Sequence, residues 1–455
     1  MANFFSSRVS ALAPEQEFTR PSAFSKERGA EDFTEKSGET DGQSPFGRKV
    51  LLTALAVLLI GLVVMVSGIR VPRVFNYDEF YYVPAANGVL AGALNMDPGE
   101  PPLGKILMAI GIKLAGNNPF GWRLSGAVCG AFTLVAVFLW TQLLFGEYKV
   151  SVLAAAFTLM NNFLFVMSRV AMMDIFLVFF LFWAILAFTA AFQLPVSTAK
   201  RRLILPCSGV LLGWSGACKW NAIDTLLVFL TVGITLPLLA KLWRFPQDSP
   251  LARFTETLRR IGLPSFLISL VVLPALSYYF VYWLLYRIVG QPFGFRSFLS
   301  LNYALWRFHR TDGVAYGLFR HWYQWPFSLS PVRALSYLVG NPVVMWLGLA
   351  GVLFCLWRFA KHFGASEGLV AGLYLANFLQ WAVTPARGAY YYYYFPAAMC
   401  LGVALAVTLH RLPQKIFGIR ISLLVVTAAA LVFVWCLPRM AHLDAPWDCA
   451  LGCWT

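Results

Sequence analysis

From residue 50 onward the chain alternates long apolar runs with short polar connectors, while the first 48 residues carry no such pattern. A bilayer core takes about 20 apolar residues per helix. Runs meeting or approaching that length fall at 50–69, 121–145, 150–167, 171–193, 204–218, 222–242, 263–287, 339–357, 365–383, 390–409 and 420–437. They predict an all-α polytopic membrane protein, a bundle of about eleven transmembrane helices, with ten to thirteen the range that short and closely spaced runs allow. Residues 1–48 are polar, mixed in charge and almost free of aliphatic side chains, so they predict a disordered cytoplasmic tail. No apolar stretch begins before residue 50, which argues against a cleavable signal. Three parts are expected: the tail over 1–48, a transmembrane domain over 49–438, and a short external tail over 439–455.

The connectors orient the bundle. "GRK" before the first run, "STAKRR", "KLWRFPQDSPLARFTETLRR", "WRFAKH" and "HRLPQKIFGIR" all fall on one side of an alternating count, and the positive-inside rule makes that side cytoplasmic. The opposite face then receives residues 70–120, the turns at 168–170, 219–221 and 384–389, the long segment 288–338 and the C-terminal tail. In the first of these loops, "EPPLGKILMAIG" is too short to span; its prolines suit the start of a helix, so it predicts an interfacial helix lying over the outer surface.

Composition sharpens this picture. The 455 residues are 59% hydrophobic and 13% charged, against roughly 25% charged for a soluble domain. Sixteen tryptophans and eighteen tyrosines fit a chain with many membrane–water edges. The net charge of +15 is spread over inter-run connectors, where it meets anionic lipid headgroups, so nucleic acid is not an expected partner. Six of eight cysteines lie inside apolar runs as small hydrophobes; Cys449 and Cys453 remain, either as a disulfide in an oxidising compartment or as free thiols.

The candidate chemistry lies on the outer face. "NYDEF" sets Asp78 and Glu79 side by side just past the first run, and Arg169, Lys219 and Arg387 stand within a residue or two of predicted span ends, against the rule that orients the chain. A carboxylate can take a proton from a hydroxyl, and Arg or Lys can hold a phosphate. Together they suit sugar transfer from a lipid phosphate to an alcohol, with one base activating the acceptor and the cations stabilising the departing anion. Lys105, on the interfacial helix, is a further candidate for the phosphate. Bland readings stand beside these: a helix cap or structural ion pair for Asp78 and Glu79, and headgroup contact for Lys105, Arg169 and Lys219. The run Tyr390 to Tyr394 reads first as an aromatic belt, with one or two hydroxyls available to a sugar. "HWYQWP" offers His321 and Trp325 to sugar or peptide, or anchors its loop to the bilayer. The five histidines show no paired ligand spacing at the outer face.

"YDE", "PPLGK", "GWRL", the "FG" closing the second run, "SRVAMMDIFLVFF", "GWSGACKWNA", "HWYQWPFSLSP" and "GNPVVMWLG" occur in the order and spacing of the protein O-mannosyltransferases. The sequence resembles this family over roughly residues 50 to 437. The resemblance implies a GT-C type bundle and inverting transfer of mannose from a polyprenyl or dolichyl phosphate to Ser or Thr of a translocated protein. It implies Asp78 as catalytic base with Glu79 its neighbour, Arg169 as partner of the acidic pair, and Lys219 and Arg387 as donor-phosphate contacts, without a bound metal. His321, Trp325 and Tyr390 are the candidates for sugar or acceptor. Glu100 stands where the family usually has a histidine, a second histidine is replaced within "YYYYYF", and 288–338 leaves no room for the β-trefoil insert of eukaryotic members. The chain therefore resembles a compact prokaryotic member. Expected partners are the sugar lipid, a protein or peptide acceptor and membrane lipids, with a dimer or a link to secretion machinery left open. Other readings are the same donor chemistry on a lipid or cell-wall glycan, a secondary transporter, or an inactive scaffold; ionisable groups gathered at one face disfavour the transporter.

Overall fold

Every predicted apolar run holds helix. In chain order the helices are α1 (Arg48–Val66), α2 (Glu79–Leu90), α3 (Leu103–Ala115), α4 (Pro119–Phe145), α5 (Tyr148–Met160), α6 (Phe163–Ser168), α7 (Met173–Gln193), α8 (Thr198–Gly216) and α9 (Ala222–Leu242), then α10 (Pro250–Ile261), α11 (Leu263–Leu267), α12 (Leu273–Ile288), α13 (Phe295–Thr311), α14 (Pro342–His362), α15 (Ala365–Val383), α16 (Phe395–Arg411) and α17 (Ile421–Met440). A π turn at Ile268–Val272 joins α11 to α12, and single 3₁₀ turns occupy Trp322–Phe327 and Tyr391–Tyr394. Lys415–Ile416 and Ile419–Arg420 form a two-residue antiparallel ladder with Lys415 opposite Arg420. The computed structural model describes residues 45–94, 97, 99–242, 246, 248–311, 322–327, 338–383, 390–412, 415–416 and 419–441. Most of both predicted tails, with Cys449 and Cys453, lies outside the described residues.

Among the described residues, eight helical segments are long and apolar enough to cross a membrane by length and composition, against the eleven spans predicted. The other three differ for physical reasons. The run at 150–167 divides into α5 and α6 because Asn162 turns left-handed, at φ 72°, a conformation asparagine tolerates better than most residues. The break is held from outside: Asn161 Nδ2 donates to Ala398 O at 2.7 Å and Asn162 Nδ2 to Val339 O at 2.8 Å. Helix α8 begins among Lys200, Arg201 and Arg202, and α15 carries Glu367, Asn377 and Gln380, so both are less apolar than their neighbours.

Burial sorts the spans into an inner and an outer set. The apolar windows of α4, α7 and the Tyr391–Arg411 segment are 72%, 83% and 89% buried, whereas those of α1 and α17 are 22% and 11% buried. The first three form the protein core, and α1 and α17 turn most of their surface outward, where a bilayer's hydrocarbon suits it. Two pairs of glycines let helices approach at backbone distance, as small residues do in membrane bundles. A Cβ at Gly130 would lie 2.0 Å from Ser168 Oγ, and one at Gly126 would lie 3.3 Å from Ser168 O, which seats α4 against the α6–α7 turn. A Cβ at Gly209 would lie 1.7 Å from Ser269 O, and one at Gly213 2.0 Å from Ser277 Oγ, which seats α8 against the π turn and α12.

At the start of α4, Asn118 accepts from the N–H groups of Phe120 and Gly121 at 3.0 and 3.3 Å, with Pro119 in the first turn. This cap fixes where α4 begins and hence the height of Arg123. The connectors at this end then interlock: Leu103 N donates to Ala217 O at 2.9 Å, tying the α3 start to the end of α8.

Candidate active site

Between α1 and α2 the chain has no regular structure until Tyr77, whose positive φ of 53° is costly for a non-glycine residue and turns the backbone into α2. That turn sends the two acidic side chains to different surroundings. Glu79 is fully buried and takes Arg123 in a two-pronged contact, Nε to Oε1 and Nη2 to Oε2, both at 2.7 Å. It also accepts from Ala171 N at 2.8 Å and Asn76 N at 2.9 Å. With four donors on two oxygens, its acceptor capacity is filled. Arg123 spends its other N–H groups on the carbonyls of Ile69, Pro72 and Val74, at 3.0, 2.9 and 3.1 Å. The pair therefore pins the first connector to α4 and to the α6–α7 turn.

Asp78 is only partly buried. It stands at the N-cap position of α2, yet its side chain makes no capping bond; instead Oδ2 accepts from the Tyr392 hydroxyl at 2.9 Å. Burial raises its pKa above the usual carboxylate range, opposed by the Tyr392 hydrogen bond and by Lys219.

Lys219, in the turn between α8 and α9, sits over the ring of the tyrosine whose hydroxyl binds Asp78. Its Nζ is 5.3 Å from the Tyr392 ring centroid and 4.5 Å from that of Tyr393, within cation–π range. It donates to both oxygens of Asp174, at 3.0 and 3.1 Å, and lies 3.5 Å from Glu100 Oε1. Burial works against its charge, but Asp174 and Glu100 outweigh that, and its pKa stands above the ordinary lysine value. Glu100 is pushed up to about 7, chiefly by burial, with Lys219 pulling it back.

Several expectations are corrected. Of the acidic pair, Glu79 is partnered by Arg123 and Asp78 by Tyr392, and neither by Arg169. Arg169 donates to the carbonyls of Val64, Met65 and Ser67 at the end of α1 and lies 4.8 Å from the Phe165 ring. Burial and the nearby Arg123 push it down to about 10. It caps the unsatisfied carbonyls of α1. Lys105 does not extend toward a phosphate: its buried ammonium donates to Asp97 O and Glu100 O at 2.6 and 2.7 Å and lies 3.6 Å from Asp97 Oδ2, so it clamps the loop before α3. The tyrosine run is not a belt. Tyr391, Tyr392 and Tyr394 are buried, and Tyr390, half-buried, stacks on Tyr392 at 5.3 Å. The Trp325 ring is also buried, 5.5 Å from Trp381 and 6.2 Å from Tyr394, which makes it part of the wall behind the tyrosines rather than an exposed platform. Arg387 and His321 lie outside the described residues.

Sequence reasoning missed Arg123, Asp174 and Tyr392. Arg123 and Asp174 had a signal: each is a charge just inside an apolar run, a position that costs free energy unless the charge is paired. Tyr392 had none, because its partner is 314 residues away. Among the described residues, no group of three or more His, Cys, Asp or Glu is placed to hold a metal ion.

The helical bundle shares its fold with solved protein O-mannosyltransferase and ArnT structures. The protein O-mannosyltransferase Pmt1-Pmt2 complex of Saccharomyces cerevisiae, solved with its sugar donor, matches with a TM-score of 0.74 over 90% of this chain and 92% of that one, at 12% identity. ArnT of Cupriavidus metallidurans, solved with undecaprenyl phosphate, matches at 0.56 over 89% and 74%, at 15% identity. The model of the dolichyl-phosphate-mannose-protein mannosyltransferase family matches residues 55–288, and the chain belongs to that family. Among its relatives, the polyprenol-phosphate-mannose–protein mannosyltransferase of Corynebacterium glutamicum is 26% identical over 389 residues, 70% of this chain and 74% of that protein. The protein of the same description from Mycobacterium tuberculosis is 25% identical over 442 residues, 81% and 83%.

Proposed function

We propose that this chain moves a mannosyl residue, with inversion, from a polyprenyl phosphate sugar to serine or threonine hydroxyls of proteins reaching the extracytoplasmic side of the membrane. The observation that carries this reading is the division of labour between adjacent carboxylates. Glu79 is saturated by Arg123 and two backbone N–H groups, while Asp78 is held by Tyr392 beside the Lys219 cluster. Family membership and the relatives' described activity support the donor and the protein acceptor.

In the reaction, Asp78 takes the proton of the acceptor hydroxyl as its oxygen bonds to the anomeric carbon. The bond from that carbon to the phosphate oxygen breaks, and its electron pair leaves on the phosphate. Lys219 receives that negative charge in a site where burial strengthens the attraction. A phosphate neutralised in this way is a good leaving group, so a second proton donor is not required, and no metal enters the step. The cytoplasmic N-terminus and the external active site follow from the basic connectors and belong to this proposal.

Purified protein in nanodiscs, given polyprenyl phosphate mannose and a Ser/Thr-rich peptide, should yield an α-linked O-mannosyl peptide from the β-linked donor. Transfer to a glycolipid or cell-wall glycan instead, with none to peptide, would refute the acceptor and keep the donor chemistry. Absence of transfer to any acceptor by folded protein that binds the donor would refute the whole reading.

A further inference from the structure

The inference rests on the transferase reading and concerns Glu100, which the mechanism above leaves unused. Its carboxylate is 7% exposed, at the entry to α3, and its Oε1 lies 3.5 Å from Lys219 Nζ. Lys219 is thereby shared: Asp174 engages it with both oxygens at 3.0 and 3.1 Å, and Glu100 approaches it at longer range. The charged groups that face Glu100 come from each element around it. Asp97 and Lys105 lie on its own segment and α3, Asp174 on α7, and Lys219 on the α8–α9 turn. Asp78 at the head of α2 joins them through its interaction with Lys219, Asp174 and Asp97. Titratable hydroxyls and a thiol that sense Glu100 are Tyr82 on α2, Tyr278 and Tyr282 on α12, Tyr393 on the 3₁₀ turn and Cys218 after α8. The tyrosines and the cysteine are neutral near pH 7.

Counting full charges among these described residues, the carboxylates of Asp78, Asp97, Glu100 and Asp174 meet the two ammonium groups of Lys105 and Lys219. The Glu79–Arg123 pair cancels within itself. A sugar lipid joined through a phosphodiester brings one more negative charge, and a phosphodiester is too strong an acid to lose that charge by taking a proton. A buried cluster already rich in carboxylates accepts another anion more readily when one of its own negative charges is removed.

We propose that Glu100 takes up one proton from solvent when the donor phosphate docks, so that Lys219 exchanges a carboxylate partner for the phosphate. The other carboxylates are committed. Asp174 holds Lys219 through two short bonds, Asp97 faces Lys105, and Asp78 must stay ionised to act as base. Glu100 makes the longest of the carboxylate contacts to Lys219, and its displacement to about pH 7 means that a proton is within reach near neutrality. The balance is simple: the carboxylate gains one proton and becomes a neutral acid, Lys219 remains an ammonium ion, and no bond in the donor changes.

Calorimetric titration of the full-length protein in nanodiscs with polyprenyl phosphate mannose, at pH 8 in buffers of different ionisation enthalpy, tests this. The wild type is expected to take up about one proton per donor bound, and its affinity to fall about tenfold per pH unit above the Glu100 titration. Glu100→Gln, neutral at every pH, is expected to bind with no proton uptake and with an affinity that does not change over this range. A purely structural role for Glu100 would alter affinity without altering the proton count. Donor binding by the wild type without proton uptake, or equal uptake by Glu100→Gln, overturns the inference and leaves the transferase reading intact. Failure of the folded wild type to bind the donor overturns both. If Glu100→Gln does not fold, Glu100→Ala takes its place in the same comparison, and a wild type that binds the donor without proton uptake overturns the inference without either variant.

Discussion

The hydroxyl of Tyr392 donates to Asp78 Oδ2 at 2.9 Å, joining the head of α2 to the turn before α16. A hydrogen bond to the ionised carboxylate favours that form, whereas burial disfavours it, and burial prevails. A general base works only when unprotonated. Activity should therefore be present above the raised pKa of Asp78 and be lost as pH falls through it, with the acid limb at higher pH than an ordinary carboxylate gives. Tyr392→Phe removes an opposing contribution, so its acid limb should move to still higher pH. With the loss of one charge-assisted hydrogen bond, about 1.5 kcal/mol, kcat/KM at neutral pH should fall about tenfold. Paired pH–rate profiles provide the check, and coincident acid limbs would contradict the role given to Tyr392.

Glu79 should behave differently from its neighbour. Its exchange for glutamine leaves the Arg123 guanidinium buried without its counter-charge, a change that costs roughly 3–5 kcal/mol in comparable settings. Thermal unfolding in detergent should show a large drop for Glu79→Gln. The double variant Glu79→Met with Arg123→Met should recover a good part of it, because neither charge is then left alone. Asp78→Asn, at a partly buried position outside that pair, should unfold within about 1 kcal/mol of the wild type. Equal destabilisation by Glu79→Gln and Asp78→Asn would remove the distinction between them.

Helix contact through Gly209 predicts a third effect. A methyl group there would meet the Ser269 carbonyl oxygen at 1.7 Å, so Gly209→Ala must push α8 off the π turn. The cost should be about 1–3 kcal/mol. Because α8 leads directly into the turn carrying Lys219, the donor KM should rise as well. Gly372→Ala is the control: nothing lies within 4 Å of its built Cβ on α15, and helix propensity favours alanine by roughly 0.5–1 kcal/mol. Unfolding midpoints and donor KM for the two variants, measured side by side, would count against this packing if they matched.

Much of this is legible in the amino-acid sequence. Apolar run length located the helices, since crossing hydrocarbon constrains composition more than any local propensity does. The acidic pair and Lys219 were visible as charges at predicted helix ends. What run length cannot convey is which distant backbone a polar side chain completes. Asn161 and Asn162 break a run that reads as one span because Ala398 on α16 and Val339 in the stretch before α14 supply acceptors from distant parts of the chain. The family resemblance implies Arg169 as the partner of the acidic pair; three carbonyls at the end of α1 claim it instead. Arg123 and Asp174 could have been assigned by asking what pairs each charge just inside an apolar run. Tyr392 looked like an aromatic belt because tyrosine at an interface and tyrosine against a buried carboxylate have the same local sequence.

Transfer of mannose from polyprenyl phosphate mannose to a Ser/Thr peptide, measured for Asp78→Asn with donor binding recorded on the same preparation, bears most directly on the role of the acidic pair. Asparagine keeps the shape and loses the basicity. The turnover rate should fall by roughly 10²–10⁴-fold while the donor still binds. Asp78→Asn protein that transfers mannose at the wild-type rate would contradict the assignment of Asp78 as the base.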